Sequence, residues 1–406
     1  MKEFLKFTSG NFLFQVVSIV SELYVLKLVT VSEMGLWQLS LLLQGYVVIF
    51  RLGILNSYNR EYVLETEKGN IEYSLSISQT TSFFTLLSTL LQSISFIICG
   101  FFFLISKNNF LYSGVLFAMS VFTIFESLNN FEEAKLRSKF KYNNITRSKF
   151  YFALIMVLTL FFPYYLGFKG LILRAILNQV IFFFIFRIFD SENYSIKFSF
   201  STWKLLFKDG WKFWLLSYIK TFSKSIPKLF LATFAGVATL GLFTPINWVM
   251  LAFTTLTGNL TAYIYPIFTQ LYAKGNHNIE KYSIQINFLT LFFILPCIGF
   301  IYFLTPYLIV NFLPKYSESI SAIRIGTFSI IFDIFTLSTS LWYARKEWYK
   351  LFLYYSLTTV SSLLVFLYVY LNQGDLLLQT CWAIFIVSFL SAFFIGIVNL
   401  FTKKIN

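Results

Sequence analysis

From Gly10 to Phe401 the chain is a succession of apolar runs, each about twenty residues long, and this pattern leaves few folds open. A helix of that length crosses the ~30 Å hydrocarbon layer of a bilayer. Inside lipid every backbone polar group must be satisfied internally, so only helices and closed barrels can cross. The runs fall near 10–29, 35–55, 77–105, 110–130, 149–166 and 170–188, then near 210–234, 238–264, 284–304, 319–341, 351–371 and 377–401. With 57% hydrophobic and only 12% charged residues, no stretch is polar enough to surround a soluble domain. The predicted fold class is an all-α integral membrane protein with 12 transmembrane helices as two six-helix bundles. Residues 1–189 form one bundle, 190–209 a cytoplasmic linker and 210–406 the other. The first run lacks a small-residue cleavage site and reads as a retained helix rather than a signal peptide.

Charge sets the orientation. Of the 32 Lys and Arg residues, only Lys27, Lys107, Lys169 and Lys315 fall in connections on the side opposite the termini, whereas the termini's own side carries the great majority. Positive residues are retained on the cytoplasmic side. Both termini are therefore predicted to be cytoplasmic, as are loops 131–148 and 190–208. The net charge of +14 is spread along membrane flanks, which argues against nucleic acid as a partner. Cys99, Cys297 and Cys381 lie in apolar runs without paired spacing, so neither a disulfide framework nor a metal site is expected. His277, the single histidine, sits in a polar loop and offers no proton relay.

Charges inside the runs are the candidates for function. The stretch Lys208–Phe243, KDGWKFWLLSYIKTFSKSIPKLFLATFAGVATLGLF, carries Lys220, Lys224 and Lys228. On a helix these share one face over roughly 12 Å of axis, at a rise of about 1.5 Å per residue. Each lysine near the middle of a lipid-facing helix costs about 2.5–3.5 kcal/mol, so three cost on the order of 8–10. A stripe of this kind is tolerable against a watery cavity or an anion. A surface amphipathic helix over 208–228, or lysines snorkelling to headgroups, is the alternative. Pro227 removes one donor and frees the carbonyl of Ser223, which predicts a kink.

Arg174 and Arg324 each lie a turn or so from the outer end of their runs, where binding and outward snorkelling are both open. Arg51 lies near an inner end, as an anchor or at the mouth of a cavity. The clear acids are Glu22 and Asp333, each a candidate ion-pair or coupling-ion group; Glu22 is expected to pair with a lysine of 210–234. Glu126, beside Glu132 and Glu133, reads as a solvated boundary. Basic residues thus dominate the predicted interior, which suits an anionic ligand and repels a cationic one. Lysine binds phosphate as a compact point charge, without the fork of arginine.

The chain also carries an internal repeat. Gly35-Leu36-Trp37 and Gly241-Leu242-Phe243 each close a hairpin, 206 residues apart, within VTVSEMGLWQLSLLL and AGVATLGLFTPINWV. An offset of six runs gives both copies one orientation and aligns Glu22 with Lys228.

With these hairpins, the segments GLWQLSLLLQGYVVIFRLGILNSYNREY and GLFTPINWVMLAFTTLTGNLTAYIYPIFTQLYAKGN resemble the polysaccharide transporters. These are the O-antigen and capsule repeat-unit flippases of the multidrug/oligosaccharidyl-lipid/polysaccharide (MOP) exporter superfamily. The residues carrying the likeness are Gly241, Phe243, Pro266 and the polar loop through Lys274 and Gly275. The resemblance implies a MATE-like, V-shaped, alternating-access fold in the bacterial inner membrane. It implies a flippase that moves a polyprenyl-pyrophosphate-linked oligosaccharide from the cytoplasmic to the outer leaflet. The site residues would be Lys220, Lys224, Lys228, Arg174, Arg324 and Arg51, with Glu22 and Asp333 as coupling or ion-pair groups. Its partners would be the lipid-linked (undecaprenyl-pyrophosphate) oligosaccharide, membrane lipids and other polysaccharide-assembly proteins.

No HExxH, P-loop, GxSxG or Cys/His cluster is present, so neither an enzyme activity nor a cofactor is expected, and this chain would not itself hydrolyse ATP. A membrane-embedded polysaccharide polymerase is the rival from the enzyme class. It calls for a long outer loop, whereas the longest outer connection here is near 305–318. A multidrug/cation antiporter on the same fold is opposed by the sign of the interior charge.

Overall fold

The computed structural model describes residues 2–107, 109–190, 196–273, 279–372 and 374–403, and all regular structure among them is helical. Each predicted run lies on helical structure, although the runs near 35–55, 149–166, 238–264 and 319–341 each extend over more than one helix. In the first half these are α1 (Lys2–Leu28), α2 (Val31–Val47), α4 (Ile71–Lys107), α5 (Phe110–Ser138), α6 (Tyr142–Leu158) and α7 (Phe161–Phe189). A further helix that the hydropathy did not announce, α3 (Ile54–Glu67), separates α2 from α4. In the second half come α8 (Phe200–Phe230), the short α9 (Gly236–Leu242), α10 (Thr244–Ala273), α11 (Ile279–Phe312), α12 (Ile320–Asp333), α13 (Thr339–Ala344), α14 (Trp348–Leu371) and α15 (Leu376–Lys403). Among the described residues, nine stretches are long and apolar enough to cross a membrane. Helices α1, α6 and α10 contribute no such stretch among the described residues.

Several boundaries move for local reasons. The segment 131–148 is not a loop, because α5 continues to Ser138 and α6 starts at Tyr142. The run near 149–166 ends early at Leu158, and Gly167 adopts φ +56° inside the following helical stretch. Asn109 caps α5 by accepting from the Tyr112 N–H at 3.1 Å. Asp375 caps α15, accepting from the Leu377 N–H at 3.0 Å.

Internal contacts divide the chain into two units: residues 1–30 with 40–218, and residues 31–39 with 219–406. The division falls inside α8, beyond the 190–209 linker expected from sequence. The later part of that linker is not free. Leu206 is fully buried in a core with Ile54, Tyr58, Ile77 and Ala134, and Trp203 stacks on Phe84 at 6.2 Å. An amphipathic start to α8 therefore anchors it to the first unit.

A second core of that unit gathers Leu136, Ile145, Phe152, Met156, Phe182 and Phe186 from α5, α6 and α7. Where these helices end, Lys135 is fully buried between Glu132 and Asp190; its ammonium lies 3.0 Å from the Asp190 carboxylate. Lys141 reaches Asp190 at 3.2 Å, and Lys149 reaches Glu133 at 3.0 Å. Sequence reading assigned these basic residues to topology alone; here they also tie three helix ends together. A buried charge is tolerated when it is paired and hydrogen-bonded in this way.

Gly53 is required twice. Its φ is +69°, and a Cβ there would come within 2.2 Å of the Gly210 carbonyl oxygen on α8. In the second unit the repeat becomes visible as packing. A Cβ on Gly35 would lie 1.8 Å from the Val237 carbonyl oxygen, and one on Gly241 would lie 1.9 Å from that of Val31. The 206-residue offset maps Val31 onto Val237 and Gly35 onto Gly241, so each copy presses its glycine on the other's valine. Such reciprocity is the signature of a local two-fold axis, and the absent side chains allow the close approach.

Candidate functional site

The lysine stripe lies on α8 as its spacing predicts, within the span Gly210–Leu242. Lys220 and Lys224 are exposed and Lys228 is half-buried. Their surroundings show where they point. The Lys220 ammonium sits 5.9 Å from the centre of the Tyr355 ring on α14. Lys224 is in electrostatic contact with Asp333 of α12 and with Lys220. The two lysines are therefore accessible while directed at neighbouring helices of their own unit. Among the described residues, no carboxylate pairs directly with Lys220, Lys224 or Lys228.

Two irregular backbones flank the stripe. Helix α8 continues through Pro227 to Phe230, and a π-helical turn follows over Leu231–Ala235, closed by Gly236 at φ +86°. Such turns widen a helix and bend it. Opposite, the stretch after Asp333 narrows into a 3₁₀ turn over Ile334–Ser338 before α13 begins. The Thr336 hydroxyl donates to the Asp333 carbonyl at 2.6 Å, and Asn287 donates to the Ser338 hydroxyl at 2.6 Å. Broken helices at membrane depth are stable where they are buried in protein or line a wet cavity.

Asp333 lies near both Lys224 and Lys220 and beside Ser388 of α15. Tyr355 neighbours Tyr343 and meets Tyr354 edge to face at 5.1 Å, and Tyr354 neighbours Ser391. Sequence reading gave these tyrosines no weight because aromatic residues are abundant throughout. The available signal was the polar run Tyr354-Tyr355-Ser356, continued by Thr358, Thr359, Ser361 and Ser362, inside a bilayer-length span.

The other candidates are distributed elsewhere. Arg174 is 2% exposed; its Nη1 donates to the Glu22 carboxylate at 2.9 Å and its Nη2 to the Ser21 hydroxyl at 2.9 Å. Glu22 thus pairs with Arg174 rather than with a lysine of 210–234. The reason is proximity: α1, α6 and α7 pack together, which brings Glu22 and Arg174 into one buried space. Arg174 neither snorkels outward nor presents a free guanidinium. Arg51 is also engaged, at 2.5 Å from the Glu126 carboxylate and 2.8 Å from the Ser127 hydroxyl. Glu126 is accordingly a partner and not a solvated boundary. Arg324 lies on α12 beside a cavity distinct from the stripe. The loop through Lys274, Gly275 and His277 lies outside the described residues, as do the side chains of Pro266 and the first thirteen residues.

The arrangement is a cationic face within one helical unit, tempered by one carboxylate and bordered by tyrosine hydroxyls. It can hold a multivalent anion by charge and hydrogen bonding.

The chain matches the family model for polysaccharide biosynthesis proteins over residues 74–321, more than half its length. No curated protein matches it. Among solved structures it is similar to an inward-facing multidrug resistance MATE family transporter of the MOP superfamily, at 15% identity over 96% of each chain with a TM-score of 0.77. It is similar to the lipid II flippase MurJ in an inward closed conformation, at 12% identity over 98% of this chain and 87% of that one, TM-score 0.71. A MOP superfamily transporter from Pyrococcus furiosus, described as having a binding pocket of reverse polarity, aligns at 15% identity over 99% and 93%, TM-score 0.68. The chain belongs to the polysaccharide biosynthesis protein family and has the membrane fold of the MOP superfamily transporters.

Proposed function

We propose that the protein is a flippase that moves a polyprenyl-pyrophosphate-linked oligosaccharide across the cytoplasmic membrane of a bacterium, with both termini in the cytoplasm. One observation carries this reading above the rest. Three lysines occupy one face of a bilayer-length segment, two of them accessible, with no directly paired carboxylate among the described residues. Three like charges in a low-dielectric setting call for water or an anion between them. A pyrophosphate supplies the anion, and the tyrosine hydroxyls nearby suit the first sugar. The membership in a polysaccharide biosynthesis family and the likeness to a lipid II flippase support the same class of cargo.

Within this reading Asp333 competes with the substrate for Lys224. An unloaded site keeps Lys224 and Asp333 coupled; an arriving pyrophosphate displaces the carboxylate, which is then free to take a proton or to bind a cation. Alternating access opens the stripe first to the cytoplasm and then to the outer face, and the chain acts as a carrier without catalysing a reaction. Glu22 and Arg174, being paired to one another, support the first unit and do not touch substrate. Some structural neighbours are multidrug transporters. A lipophilic cation would be repelled by the stripe, which opposes that activity here.

The test is surface polysaccharide in a transporter-null strain complemented with variants. Lys224→Ala should reduce it most, Lys224→Arg should retain part, and protein in the membrane should stay constant. Normal polysaccharide from a well-expressed triple alanine variant would exclude the stripe as a substrate site.

A further inference from the structure

The second unit holds one more anion-selective feature, away from the stripe. Between α11, α12 and α15 lies an open cavity of about 590 Å³, within the range that encloses most of a drug-sized ligand. Its wall on α12 is a helical face through Ser321, Arg324, Phe328 and Phe332, spaced by three or four residues. Trp382 and Phe385 of α15 supply the facing wall. The rings meet edge to face: Trp382 with Phe385 at 5.7 Å, and Phe332 with Phe385 at 5.4 Å. Trp382 is 48% exposed, so the aromatic surface is open and not a closed core.

Arg324 is the single charge in this lining. Its Nε donates to the Tyr302 carbonyl at 3.2 Å, and its guanidinium carbon lies 4.6 Å from the centre of the Tyr302 ring. Backbone and ring together fix the plane of the guanidinium, and the Nε–H bond leaves the two terminal nitrogens for another acceptor. Among the described residues no carboxylate pairs with it. A guanidinium held in plane with a free fork matches two oxygens of one phosphate.

We infer that this cavity seats the carrier lipid of the proposed substrate: a phosphate of the polyprenyl diphosphate on Arg324 and the first isoprene units along the aromatic channel. The proposal rests on the flippase reading and adds a second station to it: the diphosphate occupies Arg324 and the lysine stripe in turn, not together. The observation that selects this occupant is the pairing of one fixed cation with a groove whose apolar lining is mostly aromatic: Tyr302, Phe328, Phe332, Trp382 and Phe385, beside Ile325 and Ile331. The methyl branches and planar double bonds of an isoprenoid fit between ring edges and faces, whereas a straight saturated chain has neither. The charge also complements the phosphate end of the same molecule.

The experiment uses the full-length protein in neutral phosphatidylcholine nanodiscs, in the Lys220→Ala, Lys224→Ala, Lys228→Ala background so that the stripe does not contribute. Native mass spectrometry then counts bound undecaprenyl diphosphate, which carries no sugar. One equivalent should bind; Arg324→Gln should weaken binding at least tenfold, Arg324→Lys less, and Trp382→Ala with Phe385→Ala as much as Arg324→Gln. Phosphatidylglycerol at equal concentration should not displace the carrier. Binding unchanged by Arg324→Gln, or equal competition by phosphatidylglycerol, would overturn the assignment, the second outcome marking a bulk-phospholipid groove. Either failure leaves the flippase reading intact if the lysine variants still lose polysaccharide. Normal polysaccharide from those variants, together with Arg324-dependent carrier binding, would instead remove that reading and keep this site.

Discussion

Replacing Glu22 by Leu isolates what the buried pair on α1 and α7 contributes. The Arg174 guanidinium is 2% exposed, and its bonds run to the Glu22 carboxylate, the Ser21 hydroxyl and, at 3.4 Å, the Met156 carbonyl. Without Glu22 a cation is left in an apolar bundle with neutral acceptors only. Breaking one side of a buried pair costs about 3–5 kcal/mol. Glu22 retains 19% exposure, so the lower part of that range applies, about 3 kcal/mol. For a unit of this size each kcal/mol moves the melting temperature by about 2–4 °C, giving a loss of about 6–12 °C. Arg174→Leu should cost less, because its orphan, Glu22, is the more accessible partner. The double variant should recover most of the loss, since two apolar side chains replace both charges. Thermal unfolding of purified protein in detergent measures all three, and surface polysaccharide is followed in parallel. Additive losses in the double variant, or a transport defect in Arg174→Leu at unchanged melting temperature, would refute the pairing argument and return Arg174 to the substrate path.

Other perturbations follow from the same contacts. Gly35→Leu and Gly241→Leu should each abolish stable protein, because a Cβ at either would lie under 2 Å from a carbonyl oxygen of the other repeat; membrane-fraction immunoblots measure this, and normal levels would refute the reciprocal packing. The Glu65 carboxylate, bonded by Asn70 and then by Lys68, is held below the usual range. Its stabilising effect is therefore present above about pH 4.3 and is lost as pH falls through the lower folded value. Hydrogen exchange at residues 68–71 should accelerate in Glu65→Gln relative to wild type at pH 7, with the difference vanishing at strongly acid pH. For orientation, Lys197→Cys, at an exposed position, should resist impermeant thiol reagents in intact cells. Ser138, which is buried, would not report on sidedness.

Hydropathy made the helices legible because lipid imposes length and saturates backbone hydrogen bonding, so each apolar run corresponds to helical structure. The helix α3 was missed because its sequence, ILNSYNREYVLETE, buries only one narrow face. The two Gly-Leu-aromatic segments announced the repeat, although Gly35 lies inside α2 and not in the turn before it, and the reciprocal contact of Gly35 and Gly241 needed backbone coordinates. At the site, lysine spacing alone placed three charges on one face. The partners of the buried ions were not legible: Glu22 and Arg174 are far apart in sequence, and hydropathy is blind to the rotation of each helix. The same blindness hid Tyr355, whose ring lies beside Lys220, and the burial of Lys135, which a charge count assigned to a loop.

The most direct measurement is flipping itself. Purified protein in liposomes would be given a fluorescent polyprenyl-pyrophosphate oligosaccharide on one leaflet, and its arrival on the other would be followed with a membrane-impermeant quencher. Wild type should accelerate transfer over empty liposomes, and Lys224→Ala should bring the rate close to that background while Lys224→Arg keeps a measurable part. Equal rates for wild type and for the Lys220, Lys224 and Lys228 triple alanine variant would contradict the account.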